Sequence, residues 1–106
     1  MKKIKLQITS ATDYDASFVL SVGRETFVGG YAIGSDAQGY LDGLFCTFFP
    51  EFECDGGWAR EISVPTKAAT KFLDEVFRIY AKAYKADKKM SSDDSYVCTF
   101  EFCRVN

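Results

Sequence analysis

The change of hydrophobic period at Pro65 is the feature that most constrains how this chain can fold. Before Pro65, apolar and polar residues alternate, as at Ile4, Leu6 and Ile8, and this pattern is typical of half-buried strands. After it, apolar residues recur with the helical period of 3.6. They form one stripe: Ala69, Phe72, Leu73, Val76, Tyr80, Ala83 and Tyr84. Because a proline suits the start of a helix, the sequence predicts one long amphipathic helix over residues 66–87.

The remaining segments favour strands separated by short polar loops. Beyond the first strand, the predicted strands are residues 18–22, 26–33, 40–49, 58–64 and 96–105. The D-G-G sequence at 55–57 suits a hairpin turn. The order β-β-β-β-β-α-β predicts a single α+β domain over residues 1–106. Its antiparallel sheet has five to six strands, with the long helix packed on one face.

Residues 43–58, G-L-F-C-T-F-F-P-E-F-E-C-D-G-G-W, contain an unusual density of aromatic side chains. In a strand over 40–49, the even positions face the helix and the odd positions face away. This alternation places Phe45 and Phe49 on the uncovered face of the sheet, where large apolar groups need a second cover. Two covers are open at this point: the polar loop at 11–17, or an interface with a partner. Pro50 favours an edge strand or a bulge.

Several catalytic chemistries are absent from the sequence. The chain has no histidine, which excludes Ser-His-Asp catalysis and zinc sites that use imidazole. The glycine-rich loop at 34–39 lacks the Lys-Ser or Lys-Thr pair that a phosphate-binding loop requires. No catalytic carboxylate pair can be identified. We therefore expect a protein that is not an enzyme and that uses no cofactor.

The four cysteines lie at 46, 54, 98 and 103, and their spacing argues against a metal site. Structural zinc sites usually take ligand pairs from C-x2-C or C-x4-C knuckles, and only Cys98 and Cys103 have such a spacing. Cys46 and Cys54 are too far apart for this, and Cys98 and Cys103 fall on opposite faces of one predicted strand. Ordinary buried thiols are the favoured interpretation, and no metal is predicted.

The N-terminal segment M-K-K-I-K-L-Q-I-T has a basic start but no continuous apolar region. Lys5, Gln7 and Thr9 interrupt it, so we expect no export signal. No apolar run approaches the roughly 20 residues that a transmembrane helix needs. The expected location is the cytoplasm, with reduced thiols and no membrane association.

The favoured functional hypothesis is a small non-catalytic protein-binding domain that covers a partner's functional surface. The predicted contact residues are three aromatic side chains with an acidic rim: Phe45, Phe49, Trp58, Glu51, Glu53 and Asp55. A short acidic chain without catalytic motifs is typical of inhibitors and modulators of phages and mobile elements, such as anti-CRISPR and immunity proteins. The expected partner is another protein, for example in a nucleic-acid-handling complex, although a homodimer would also cover an apolar face.

Two alternatives use other surfaces. One sector of the predicted helix is basic: Lys67, Lys71, Arg78, Lys82, Lys85 and Lys89. It is either a solvated face or an anion-binding or nucleic-acid-binding surface. The sequence pI of about 5.1 and the lack of interleaved aromatics argue against direct nucleic-acid binding. The third hypothesis is a small-molecule pocket lined by Phe77, Tyr80 and Tyr84, for which core packing is the favoured alternative.

Overall fold

A computed structural model describes residues 1–52, 59–90 and 102–105, with side chains up to residue 82 in the second range. In chain order the elements are β1 (Lys2–Ala11), β2 (Asp15–Val22), β3 (Glu25–Ala32), α1 (Asp36–Phe48), β4 (Ala59–Val64), α2 (Thr66–Met90) and β5 (Cys103–Arg104). All strand pairs are antiparallel. The α+β class and the antiparallel five-stranded sheet are therefore confirmed. Of the last predicted strand, residues 96–101 lie outside the described residues.

The strands are arranged in the order β4-β1-β2-β3-β5. One face of the sheet carries the core, because alternate residues of β1, β2 and β3 are buried there. Both helices pack on this face: Phe18 of β2 contacts Phe45 of α1, and Phe27 of β3 contacts Phe77 of α2, both edge to face. The opposite face is turned to solvent, as an antiparallel sheet permits.

The prediction of a strand over residues 40–49 is wrong, because this segment belongs to α1. The helix begins after Ser35, whose side chain accepts a hydrogen bond from the Gln38 N–H as an N-cap. Its buried residues, Ala37, Leu41 and Phe45, are four positions apart and form one helical stripe. The sheet is therefore covered by two helices, not by the single helix that was predicted.

The predicted exposure of Phe45 and Phe49 is also wrong. They are 0% and 1% exposed, and both rings pack against Phe72 of α2, at centroid distances of 6.1 and 6.4 Å. A helical period turns both side chains toward the core, whereas alternation would have turned them away. The predicted covering loop at 11–17 is not present either, because β1 ends at Ala11 and β2 begins at Asp15.

A stack of aromatic rings joins the C-terminal strand to the rest of the domain. Phe102 stacks on Phe27 at 5.0 Å and on Tyr80 at 5.5 Å. Gly29 makes room for this stack: a Cβ atom there would lie 2.9 Å from Phe18 and 3.0 Å from Phe102. The absence of a side chain at Gly29 therefore lets the Phe102 ring, directly before β5, pack over β3.

Candidate functional site

The two edges of the sheet differ in how their backbone groups are satisfied. On the β3 side, β5 pairs with Phe27 and Val28, and the next outward position is Gly30. The Tyr80 hydroxyl accepts a hydrogen bond from the Gly30 N–H at 3.1 Å and donates one to the Gly30 carbonyl oxygen. A side chain of α2 thus occupies the place of a further strand. This edge is closed where Gly30 lies.

On the other side, β4 is the outermost strand of the part of the sheet that the structure describes. The hydrogen bond from the Gly23 N–H to the Lys3 carbonyl shows that Lys3 directs its backbone groups toward β2. Since backbone direction alternates along a strand, Ile4 and Leu6 direct theirs toward β4. Their partners there are Ile62 and Arg60. The intervening residues of β4 therefore point away from the sheet.

The outward-pointing backbone groups of β4 belong to Ala59, Glu61 and Ser63, which we call the β4 edge. The row ends at Ser63, because Pro65 has no N–H and its carbonyl accepts a hydrogen bond from Ala69. Alternating donors and acceptors on an exposed strand form a template for another extended chain. The chemistry of the β4 edge is thus the recognition of a peptide backbone.

A groove with a volume of about 280 Å³ runs beside the β4 edge. Its lining is Phe49, Pro50, Glu51, Arg60, Glu61 and Ile62. Arg60 and Ile62 pair with core-facing residues of β1, whereas Glu61 pairs with Lys5 on the open face. Because the groove touches residues of both faces, it follows the edge of the sheet. Its volume lies below the range of about 300–1,000 Å³ typical of drug-sized ligands.

The charged residues of the groove form exposed ion pairs. Arg60 contacts Glu51 at 2.8 Å, and Glu61 contacts Lys3 at 3.5 Å. Exposed pairs of this kind contribute only about 0–1 kcal/mol. A ligand can therefore exchange its own polar groups for these partners at small cost.

The predicted contact residues are divided by the structure. Glu51 lines the groove and is exposed, and Phe49 forms part of the groove wall although its side chain is buried. Phe45 is enclosed in the core. The other three predicted residues, Glu53, Asp55 and Trp58, lie outside the described residues. Sequence reasoning missed Arg60 and Ile62, because alternation identifies a strand but not its neighbours.

The basic sector of α2 is exposed over Lys67, Lys71, Arg78 and Lys82. The side chains of Lys85 and Lys89 lie outside the described residues. Arg78 is bound to Glu75 at 2.7 Å, and their hydrogen bond raises the pKa of Arg78 and lowers that of Glu75.

An exposed tyrosine of α1 lies next to this basic sector. The Lys82 Nζ atom is 4.9 Å from the centroid of the Tyr40 ring and 3.4 Å from its hydroxyl oxygen. Sequence reasoning missed this contact because it assigned Tyr40 to a strand. The fold thus places an aromatic group from α1 beside the lysines of α2, where the sequence of α2 itself has none.

Asp42 of α1 carries a buried carboxylate oxygen, Oδ1, to which none of the described residues donates a hydrogen bond. Burial raises the pKa of this carboxyl group, while hydrogen bonds with Tyr31 and Gln38 oppose the rise. No second carboxylate is placed beside it by any contact of the described residues. Asp42 therefore bears on stability and gives no support for acid–base chemistry.

The structure describes two of the four cysteines and the ring contacts of two of the residues predicted to line a pocket. Cys46 and Cys103 are exposed, so the prediction of buried thiols is wrong for these two. Cys54 and Cys98 lie outside the described residues. Phe77 packs edge to face on Phe27 and Phe102 but is 43% exposed, and Tyr80 stacks on Phe102. The side chain of Tyr84 lies outside the described residues. The described parts of the chain contain no group of three or more Cys, Asp or Glu side chains that could hold a metal ion.

Comparison of the chain with protein-family models, with curated proteins and with solved structures gives no match in any of the three. Among the helices that the structure describes, none has the length and apolar character needed to cross a membrane.

Proposed function

We propose that this chain is a small non-catalytic protein-binding domain that takes up an extended segment of its partner at the β4 edge. The observation that carries the proposal is the row of outward-pointing backbone groups on Ala59, Glu61 and Ser63 beside a groove. Strand addition of this kind is a recurring mode of peptide recognition, in which the main chain supplies affinity and side-chain pockets supply specificity.

The contrast between the two sheet edges supports this choice of site. Natural sheets usually protect their edges, and here Tyr80 and β5 do so for β3. In the described residues of the β4 side, charged side chains are the only comparable protection. A partner strand that pairs with the three outward residues can form up to about six hydrogen bonds, each worth about 0.5–1.5 kcal/mol net. The domain then acts as an inhibitor or modulator of the partner whose segment it holds.

Substitution of Glu61 by proline tests the proposal. Proline removes the outward N–H of residue 61, while the hydrogen bonds to β1 use Arg60 and Ile62 and are retained. The matched control is Glu61→Ala, which removes the same side chain but keeps the N–H. The probe is a displayed library of unstructured peptides about ten residues long, selected on the wild-type protein.

Peptides selected in this way are expected to bind the wild-type protein and the Glu61→Ala variant, and to lose binding to Glu61→Pro. The unfolding midpoint of each variant in urea shows that it is folded. Equal binding to the wild-type protein and to Glu61→Pro, or the failure of the selection to enrich any peptide, would contradict the proposal.

A second candidate function is anion binding on the basic sector of α2. The observation that favours it is the position of Tyr40 beside Lys82, because an aromatic ring next to basic side chains is typical of single-stranded nucleic-acid surfaces. Fluorescence anisotropy with a labelled single-stranded oligonucleotide at low salt tests it. Binding that weakens with salt and is lost in Tyr40→Ala and Lys82→Ala supports this function. The absence of binding at low salt removes it.

A further inference from the structure

The groove beside the β4 edge specifies the side-chain pattern of the bound segment, and this inference rests on the proposed function. We infer that the occupant is an extended segment of a different protein, with an apolar residue opposite Ile62 and a polar residue opposite Arg60. Three observations carry the inference: which residues of β4 direct their backbone groups outward, which residues line the groove, and how charge is distributed along the β4 edge.

The alternation of outward and inward backbone groups along β4 determines which residue of the bound segment enters the groove. Glu61 and Ser63 direct their backbone groups outward, so Ile62 lies between two hydrogen-bonding positions. For an antiparallel partner, the residue opposite Ile62 is then in a non-hydrogen-bonded pair, in which the Cα atoms are only about 4.5 Å apart. Directly opposite residues share a face of the sheet, so this incoming side chain points to the groove side.

The lining of the groove determines the chemistry of that side chain. The apolar residues among those that line the groove are Phe49, Pro50 and Ile62. Ile62 itself is only half-buried and packs at the border of the core. An apolar side chain placed here removes further apolar surface from water. With a volume of about 280 Å³, the groove suits one side chain better than a whole small ligand.

The neighbouring position on the same side has the opposite character. An incoming residue opposite Arg60 meets the Glu51–Arg60 ion pair, whose N–O distance is 2.8 Å. Burying these charges under an apolar group would leave them poorly solvated, so a polar residue is favoured. The bound segment therefore has one apolar and one polar residue, two positions apart, on its groove side.

The charge pattern of β4 argues against a second copy of this chain as the occupant. The register that pairs all three outward residues of two antiparallel copies places the two Glu61 side chains directly opposite each other, which is destabilising. If the sum of paired residue numbers rises by two, Ala59 faces Pro65, which has no N–H to donate, and only Glu61 and Ser63 keep their outward pairs. Each lost hydrogen bond is worth about 0.5–1.5 kcal/mol, so this register pairs more weakly than a partner strand that bonds to all three outward residues.

Two matched variants of β4 test the inference. Ile62 and Val64 are both β-branched and half-buried on the same side of β4, but Val64 does not line the groove. Ile62→Ala is expected to weaken the binding of the selected peptides by about tenfold. Val64→Ala is expected to leave their affinity unchanged. The enriched peptides should share an apolar residue and a polar residue two positions apart.

The outcomes separate this inference from the proposed function. Two results overturn the groove inference but leave strand addition standing. In the first, the selected peptides fail to bind Glu61→Pro but share no apolar position. In the second, they fail to bind Glu61→Pro but bind Ile62→Ala as tightly as the wild-type protein. Peptides that bind Glu61→Pro normally overturn both. Sedimentation measures the oligomeric state of the protein without peptide. A dimer that Glu61→Pro converts to a monomer would identify a second copy as the occupant and overturn the inference.

Discussion

Removal of the Tyr80 hydroxyl is the perturbation that most sharply tests why one sheet edge is closed. The Tyr80→Phe variant keeps the ring in its stack with Phe102, and loses only the oxygen that bonds to Gly30. Gly30 is buried, so its N–H and carbonyl would then lack the partner that the described residues give them. The Tyr80 hydroxyl thus forms the two hydrogen bonds with Gly30 that a neighbouring strand would otherwise form.

The expected loss of stability follows from these two hydrogen bonds. A typical intramolecular hydrogen bond contributes about 0.5–1.5 kcal/mol net, and leaving a buried group unsatisfied costs about 1–3 kcal/mol. We therefore expect Tyr80→Phe to lower the free energy of unfolding by about 1–3 kcal/mol. Urea denaturation followed by circular dichroism, with unchanged m-values, measures this difference.

Tyr40→Phe is the matched control, because it also removes one tyrosine hydroxyl. That hydroxyl lies 3.4 Å from the amine of Lys82, and both residues are exposed. Its removal is expected to change stability by less than about 0.5 kcal/mol. Equal effects of the two substitutions would refute the view that the Tyr80 hydroxyl closes the β3 edge.

Three further substitutions test the fold and its electrostatics. Gly43→Ala should raise the free energy of unfolding by about 0.5–1 kcal/mol, since a Cβ there meets no atom within 4 Å and alanine favours a helix; a loss in urea denaturation would contradict the helical assignment of α1. Phe45→Ala should cost about 3–5 kcal/mol, whereas Tyr14→Ala, at a residue that is 83% exposed, should cost little; similar losses for both would contradict the buried position of Phe45. Asp42→Asn should stabilise the protein at neutral pH. The pKa of Asp42 is raised in the folded state, so the folded protein holds this proton more tightly than the unfolded chain does. The free energy of unfolding of the wild type therefore falls as the pH rises from about 3.9, the unfolded value, through the folded-state pKa. Its advantage over the wild type should vanish near pH 3, and an advantage that does not vary with pH would refute this explanation.

The sequence predicted well those elements whose period is long and unambiguous. The alternation of Ile4, Leu6 and Ile8 belongs to β1, and the stripe from Ala69 to Tyr80 belongs to α2. Both patterns extend over enough residues to distinguish a period of 2 from one of 3.6.

The error over residues 40–49 has a physical cause in the spacing of its apolar residues. Leu41, Leu44, Phe45 and Phe48 satisfy the helical spacing i, i+3, i+4, i+7, while odd positions from Leu41 to Phe49 also allow alternation. The distinguishing signal was local: Ser35 is an N-cap, but it was assigned to a loop. This single misassignment placed two core phenylalanines on a surface.

The candidate site depends on strand neighbours, which the sequence order does not specify. The strand before α2 was predicted almost to the residue, yet its position at the edge follows from pairing with β1, more than 50 residues away. Glu51 was identified as a contact residue from its charge, whereas Ile62 and Arg60 became candidates only when the edge was located. Non-local pairing is the part of the fold that local patterns determine least.

Hydrogen exchange of the β4 amides, measured residue by residue by NMR on the protein alone, is the most direct test of the central claim. If the β4 edge is open, the Arg60 and Ile62 amides, which bond to β1, are protected, while the Glu61 and Ser63 amides exchange much faster. On addition of a selected peptide, the Glu61 and Ser63 amides should become protected. Strong protection of all four amides in the protein alone would show that the β4 edge is already occupied, and would contradict the account.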